Sequence, residues 1–280
     1  MSLIDLILNL AGLLLWLNWR SQSQSVTVQP YSVSLLSTLK KAELTPPARG
    51  FPLIGLAILL IVRSIFYWHI GSAANWRACL PLGAVTLTFR SDYLGRMFLF
   101  SGLSFAQMLG TYYLWLLLLS ILNRTGPDSD PVLKLVRQQL GRVSRWPRAV
   151  QFVLPWAIAG GLWMGCHPVL VWMGLVQEAR TWGHLAEQSA VIGLCAYLAW
   201  KFLLVALLLL HLLNSYVYLG NHPFWLFVNT SARRLLWPLT WLPLRFGRAD
   251  FTPLAGIALV FFAGEYGPPG LTLLFQRFAF

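Results

Sequence analysis

Charge is what this chain has least of. Only 11% of its 280 residues are Asp, Glu, Lys or Arg, whereas soluble domains carry about a quarter. Acidic side chains are the scarcest, nine against 21 Lys and Arg, for a net charge of +12. With 57% hydrophobic residues and a mean hydropathy of +0.63, this excludes a soluble domain built round one core. The apolar runs are too long and too many, and they imply a polytopic membrane protein. Cysteine is scarce as well. Cys79, Cys166 and Cys195 form no CxxC pair, which argues against a disulfide framework or a metal site. They read as small apolar residues of a helical bundle. No GxxxxGK[ST], HExxH, GxSxG or paired-carboxylate constellation occurs, so the chain reads as a non-enzyme without cofactor. The basic excess does not indicate nucleic acid, because the bases sit in loops between apolar runs, where orientation signals belong.

What is present predicts an all-α polytopic bundle of about six transmembrane helices, with amphipathic interfacial helices on the cytoplasmic face. The first apolar run is Leu3 to Leu17, with Asp5 and Asn9 inside it and Trp16, Trp19 and Arg20 as an interfacial anchor. The residues before it lack the basic stretch of a secretory signal, so the run reads as a retained helix. The second span is Phe51 to Ile70, in which Arg63 is expected to snorkel to the far interface. The others are Met97 to Leu122, Ala149 to Val176 with a kink at Pro168, Ser189 to Val217, and one from about Phe251 that Gly267-Pro268-Pro269-Gly270 ends. Between spans, a helix is expected after Pro30. A second runs from Pro131 to Arg145, with Leu133, Val136, Leu140 and Val143 on one face and Lys134, Arg137, Arg142 and Arg145 off it. Val85, Leu87 and Phe89 alternate with polar residues, a short strand-like pattern.

Charge distribution sets the expected orientation. Segments 18–50, 123–148 and 214–250 hold four, six and four Lys or Arg, whereas the alternate loops and the tail hold five in all. Positive charge concentrates on the cytoplasmic side, so the three long segments face the cytoplasm and both termini face outside. Each long segment begins with Leu-Asn, at Asn18, Asn123 and Asn214, and leads to a span with an early Pro, at Pro52, Pro155 and Pro253. This reads as an internal repeat of helical hairpins. The expected sections are 1–70, a middle section 71–189 and 190–280.

The last section carries Arg233-Arg234, Pro238-Leu239, Leu242-Pro243, Arg245, Arg248, Asp250 and Pro253. That pattern resembles the YggT family of small integral membrane proteins, best over about residues 190 to 265 and more weakly over 3 to 70. Phe251 stands where the family has a small residue, and Gly50 stands where the last copy has Asp250. The resemblance implies a duplicated unit in a bacterial inner membrane. It also implies an accessory role, in envelope, division or osmotic adaptation, and carries over no catalytic residue.

Among candidate sites, Asp250 with Arg233, Arg234, Arg245 and Arg248 reads either as a partner-docking ion cluster or as a structural fastener, in which Asp250 caps the last span beside Pro253. Asn214 can hold carbonyls at its helix end. Lys201 lies within the fifth span, where a lone charge costs roughly 2.5–3.5 kcal/mol on insertion scales. Its partner is left open among Asp5, Glu265 and a backbone carbonyl. Lys134, Arg137, Arg142 and Arg145 are expected to touch anionic lipid. His167 and His211 lie at different depths and do not suit one haem. The expected partners are the bilayer and another membrane protein or a second copy. The expected role is that of a scaffold, and an ion or osmolyte transporter or channel component is the alternative.

Overall fold

Apolar sequence of this density has no use for open backbone, and helices satisfy every main-chain group within one segment. The computed structural model accordingly is mostly helical. It describes residues 3–24, 50–74, 76–126, 130–217, 222–241, 245–246 and 249–277. Among the described residues, six helical stretches are long and apolar enough to cross a membrane. The segment after Pro30, where a short helix is expected, lies outside the described residues, as does Arg248. The chain forms two compact units, one of residues 1–80 and 88–109, the other of 81–87 and 110–280.

The first unit contains α1 (Leu3–Gln24), α2 (Phe51–Ala74) and the first half of α3 (Leu94–Leu122). Helix α1 continues past Leu17, where the apolar run ends, and Gln22 donates to Asn18 one turn back at 3.3 Å. α1 and α2 run antiparallel, since Asp5 meets Arg63 while Gly12 meets Leu56. A Cβ at Gly12 would lie 2.9 Å from the Phe105 ring, so a small residue sets this close approach. The alternating stretch forms a hairpin of β1 (Arg77–Pro81) and β2 (Thr86–Arg90). Ala78, Leu80, Leu87 and Phe89 are buried on one face. Phe89, Trp76 and Tyr67 surround Phe100.

The second unit holds the rest of α3 and six further helices among the described residues: α4 (Pro131–Leu140), α5 (Arg148–Trp172), α6 (Trp182–Cys195), α7 (Trp200–Tyr216), α8 (Pro223–Leu236) and α9 (Thr252–Arg277). Asp130 caps α4, accepting from Val132 N at 2.9 Å and Leu133 N at 3.4 Å. The apolar face read from the sequence turns inward, with Leu133 and Val136 buried where α4 packs on α8. Arg142 and Arg145 follow α4 in a 3-10 turn.

Two expectations are corrected here. The fifth span is two α-helices joined by the 3-10 turn Ala196–Ala199. At the end of that turn, Trp115 Nε1 donates to Ala199 O at 2.8 Å. Helix α9 does not stop at Gly267-Pro268-Pro269-Gly270 but runs through to Arg277. Helices in apolar surroundings tolerate such prolines, and the Thr272 hydroxyl adds a bond within the same helix, donating to Pro268 O at 3.0 Å. Helix α5 likewise continues through Pro155 and Pro168.

Candidate functional site

Three helices of the first unit each contribute polar residues one turn apart, which places them on one face. Asp5 and Asn9 come from α1, Arg63 and Tyr67 from α2, and Ser101 and Ser104 from α3. The Arg63 guanidinium gathers Asp5, Asn9 and Ser104, whereas Ser101 donates its hydroxyl to Leu60 O at 3.2 Å. Nη2 reaches Asp5 Oδ1 at 2.9 Å and Ser104 Oγ at 3.1 Å, and Nη1 reaches Asn9 Oδ1 at 2.6 Å. Tyr67 donates its hydroxyl to the same Asp5 oxygen at 2.5 Å, and Asn9 Nδ2 donates to Ser104 Oγ at 2.9 Å. The Tyr67 and Phe100 rings lie 5.4 and 5.6 Å from the Arg63 guanidinium carbon. The two charged side chains are 1% and 6% exposed.

This geometry corrects the expectation that Arg63 snorkels. A carboxylate within reach on the neighbouring helix neutralises both groups, whereas snorkelling would strand Asp5 in an apolar span. One atom, Arg63 Nε, is buried without a partner. The cluster is electrically neutral and its bonds join all three helices.

Asp5 is therefore not the partner of Lys201. Lys201 Nζ lies 5.4 Å above the Phe261 ring, and the side chain covers Gly264. No carboxylate pairs with Lys201 among the described residues, and Glu265 is exposed. An ammonium on an aromatic face with its stem on glycine is held by the ring quadrupole and packing rather than by an opposite charge.

The residues of the last section divide. Arg234 folds back onto the end of α3, donating to Leu122 O at 2.8 Å and Asn123 Oδ1 at 3.3 Å. Asn123 Nδ2 donates to Ser231 Oγ at 2.6 Å. A buried clasp thus ties α3 to α8, while the neighbouring Arg233 is exposed. Asp250 and Arg245 are opposite partners in a two-residue antiparallel ladder, β3 (Arg245–Phe246) with β4 (Ala249–Asp250). The residue directly before α9 is Phe251, whose carbonyl takes the Ala255 N–H at 3.0 Å, so Asp250 stands one position further out. Pro253 is buried in the first turn of α9. Against α7 and α9, by contrast, α8 packs through apolar side chains: Leu208, Ala232 and Leu236, with Leu239, Ile257 and Val260 against them. Asn214 is half-buried near the end of α7. The three Leu-Asn positions occupy unlike places: inside α1, just after α3 and near the end of α7. Lys134, Arg142 and Arg145 are exposed, and Arg137 donates to Arg124 O at 3.2 Å.

Sequence reasoning weighed His167 only as a haem ligand. It is buried, with Nε2 unpartnered, and lines a cavity of about 520 Å³ with Glu178, Arg180, Trp172 and Trp182. His211 instead shares a 2.9 Å hydrogen bond with Asn229. Among the described residues no group of three His, Cys, Asp or Glu is placed to hold a metal ion. In comparisons with known proteins, no family model, no curated protein and no solved structure matches the chain, and the resemblance to the YggT family rests on its residue pattern alone.

Proposed function

We propose that this chain is a non-enzymatic, multi-pass membrane accessory protein of the YggT type that organises a partner, or assists its assembly, in a bacterial inner membrane. The observation that carries this reading is how the polar groups of the spans are used. Asp5, Asn9, Arg63, Tyr67 and Ser104 are bound to one another, and Asn123, Ser231 and Arg234 are bound to one another. Buried polar residues that satisfy each other fasten helices. What the spans offer outward is apolar: Ile58, Leu162, Leu259 and Phe262 are all more than half exposed. Such faces suit lipid or another membrane protein. The long basic segments then lie on the cytoplasmic side with both termini outside.

Affinity purification after crosslinking in native membranes tests the proposal. A reproducible membrane partner, or a second copy, is the expected result. A lone monomer in gentle detergent, with no crosslinked species, contradicts it. One observation favours transport as a second reading: the 3-10 turn Ala196–Ala199 interrupts a span, with Lys201 two residues beyond it. Discontinuous helices are a feature of transporter sites. Ion or osmolyte flux into proteoliposomes that Lys201→Leu abolishes would establish that reading, and absence of flux removes it.

A further inference from the structure

The second unit carries an arginine-lined cleft that shares Arg234 with the polar clasp and that the scaffold reading does not use. It has a volume of about 640 Å³ and lies where α3 ends, α5 begins and α8 finishes. Arg148, Arg233 and Arg234 line it with Thr125, Trp237 and Ile121, and no carboxylate lines it among the described residues. Three guanidinium groups converging without a counter-charge repel one another, and a bound anion removes that cost.

The three differ in readiness. Arg234 is anchored through Nη1 to Leu122 O and Asn123 Oδ1, so its guanidinium is held in place before any ligand arrives. Arg148 and Arg233 are exposed, and neither pairs with a carboxylate among the described residues. Planar guanidinium donors match phosphate oxygens two at a time. The walls choose between kinds of phosphate. Ile121 belongs to the last turn of a helix long and apolar enough to span a membrane, and Trp237 is 67% exposed beside it. Span ends with tryptophan and arginine mark headgroup depth in a bilayer. A soluble phosphate has no use for an apolar wall, whereas a lipid has both a phosphate and chains to lay along it.

We infer that this cleft is a binding site for the phosphate headgroup of one anionic glycerophospholipid, held by Arg148, Arg233 and Arg234. The inference needs only that the helices sit in a bilayer, and it stands whether the chain is a scaffold or a transporter.

Native mass spectrometry of the detergent-solubilised full chain tests it, with phosphatidylglycerol and phosphatidylcholine titrated separately. One phosphatidylglycerol per chain is retained in preference to phosphatidylcholine. Arg148→Gln with Arg233→Gln weakens that retention about ten-fold or more, since each cation near the surface contributes about 1 kcal/mol. Arg77→Gln with Arg277→Gln, both exposed and outside the cleft, removes the same charge and leaves retention within about two-fold. Equal retention of the two lipids by the wild-type chain overturns the inference whatever the variants do. So does an equal loss in both double variants, which would mean bulk charge attraction. If millimolar inorganic phosphate binds the chain alone and displaces phosphatidylglycerol completely, the site is for a soluble anion and the lipid assignment fails.

Discussion

At the scale of single residues, the Asp5–Arg63 pair is the most consequential feature. Breaking a buried pair by removing one partner strands the other charge. Arg63→Ala is therefore expected to destabilise the first unit by about 3–5 kcal/mol. Asp5→Leu with Arg63→Leu recovers most of that loss, because neither charge then remains. Thermal unfolding of the purified variants in detergent checks both, and additive losses in the double variant would show that the two residues do not interact. Lys201→Leu is expected to cost only about 0.5–1 kcal/mol, the worth of an ammonium over a ring, and the same unfolding assay measures it. The sequence made Asp5 and Asn9 visible as polar residues in a span and Arg63 as a charge in the next. Their meeting was not legible. The partners are 58 positions apart, and the crossing of α1 over α2 depends on Gly12 facing Phe105 and Leu56. For Lys201 the sequence suggested an acid or a backbone carbonyl as partner, whereas Phe261 supplies an aromatic face that a tally of polar groups does not register.

Elements show which glycines matter. A Cβ at Gly193 would lie 2.6 Å from Trp156 O, and one at Gly160 would lie 2.8 Å from Ser189 O. Both contacts are with backbone, so α5 and α6 cannot yield by turning a side chain. The pair is also sewn by Trp156 Nε1 to Ala190 O at 3.1 Å. Gly193→Ala is expected to cost about 1–3 kcal/mol by overpacking, whereas Gly161→Ala, which meets open space, stays near neutral. Unfolding of the two variants side by side decides it. The adjacent Gly160-Gly161 pair illustrates what a sequence conceals: two neighbouring glycines look alike, and helix phase alone gives one of them the contact. Gly83, with φ +87°, is a different case, since its backbone conformation disfavours any side chain. Other element-level features were legible. Asp130 before Pro131 announced a capped helix, and Asp130→Ala should destabilise it by about 1 kcal/mol, seen as lost helicity or a lowered Tm. The Leu87–Phe89 alternation announced a strand. The run Gly267-Pro268-Pro269-Gly270 misled, because rules for helix ends assume water ready to take the freed carbonyls. In apolar surroundings, stopping α9 there would leave more main-chain groups without partners than the two prolines do, and it runs on to Arg277.

For the whole molecule, composition carried most of the weight. A chain with so little charge and so many long apolar runs has few alternatives to a helical bundle, and six helices of spanning length follow. The orientation rests on loop charge alone. A reporter fused after Phe280 is expected to read as external, and a cytoplasmic reading contradicts the topology. The proposed function was less legible, because the outward apolar faces that would carry it are built from residue types that serve lipid and protein partners equally well. The central claim is that these faces meet a specific partner. Photoreactive residues placed singly at Ile58, Leu162 and Phe262, all exposed, and at Leu208, buried at 1%, test it in living membranes. The account predicts a discrete protein adduct of constant mass from at least one exposed position and none from position 208. Adducts with lipid alone at every exposed position would contradict it.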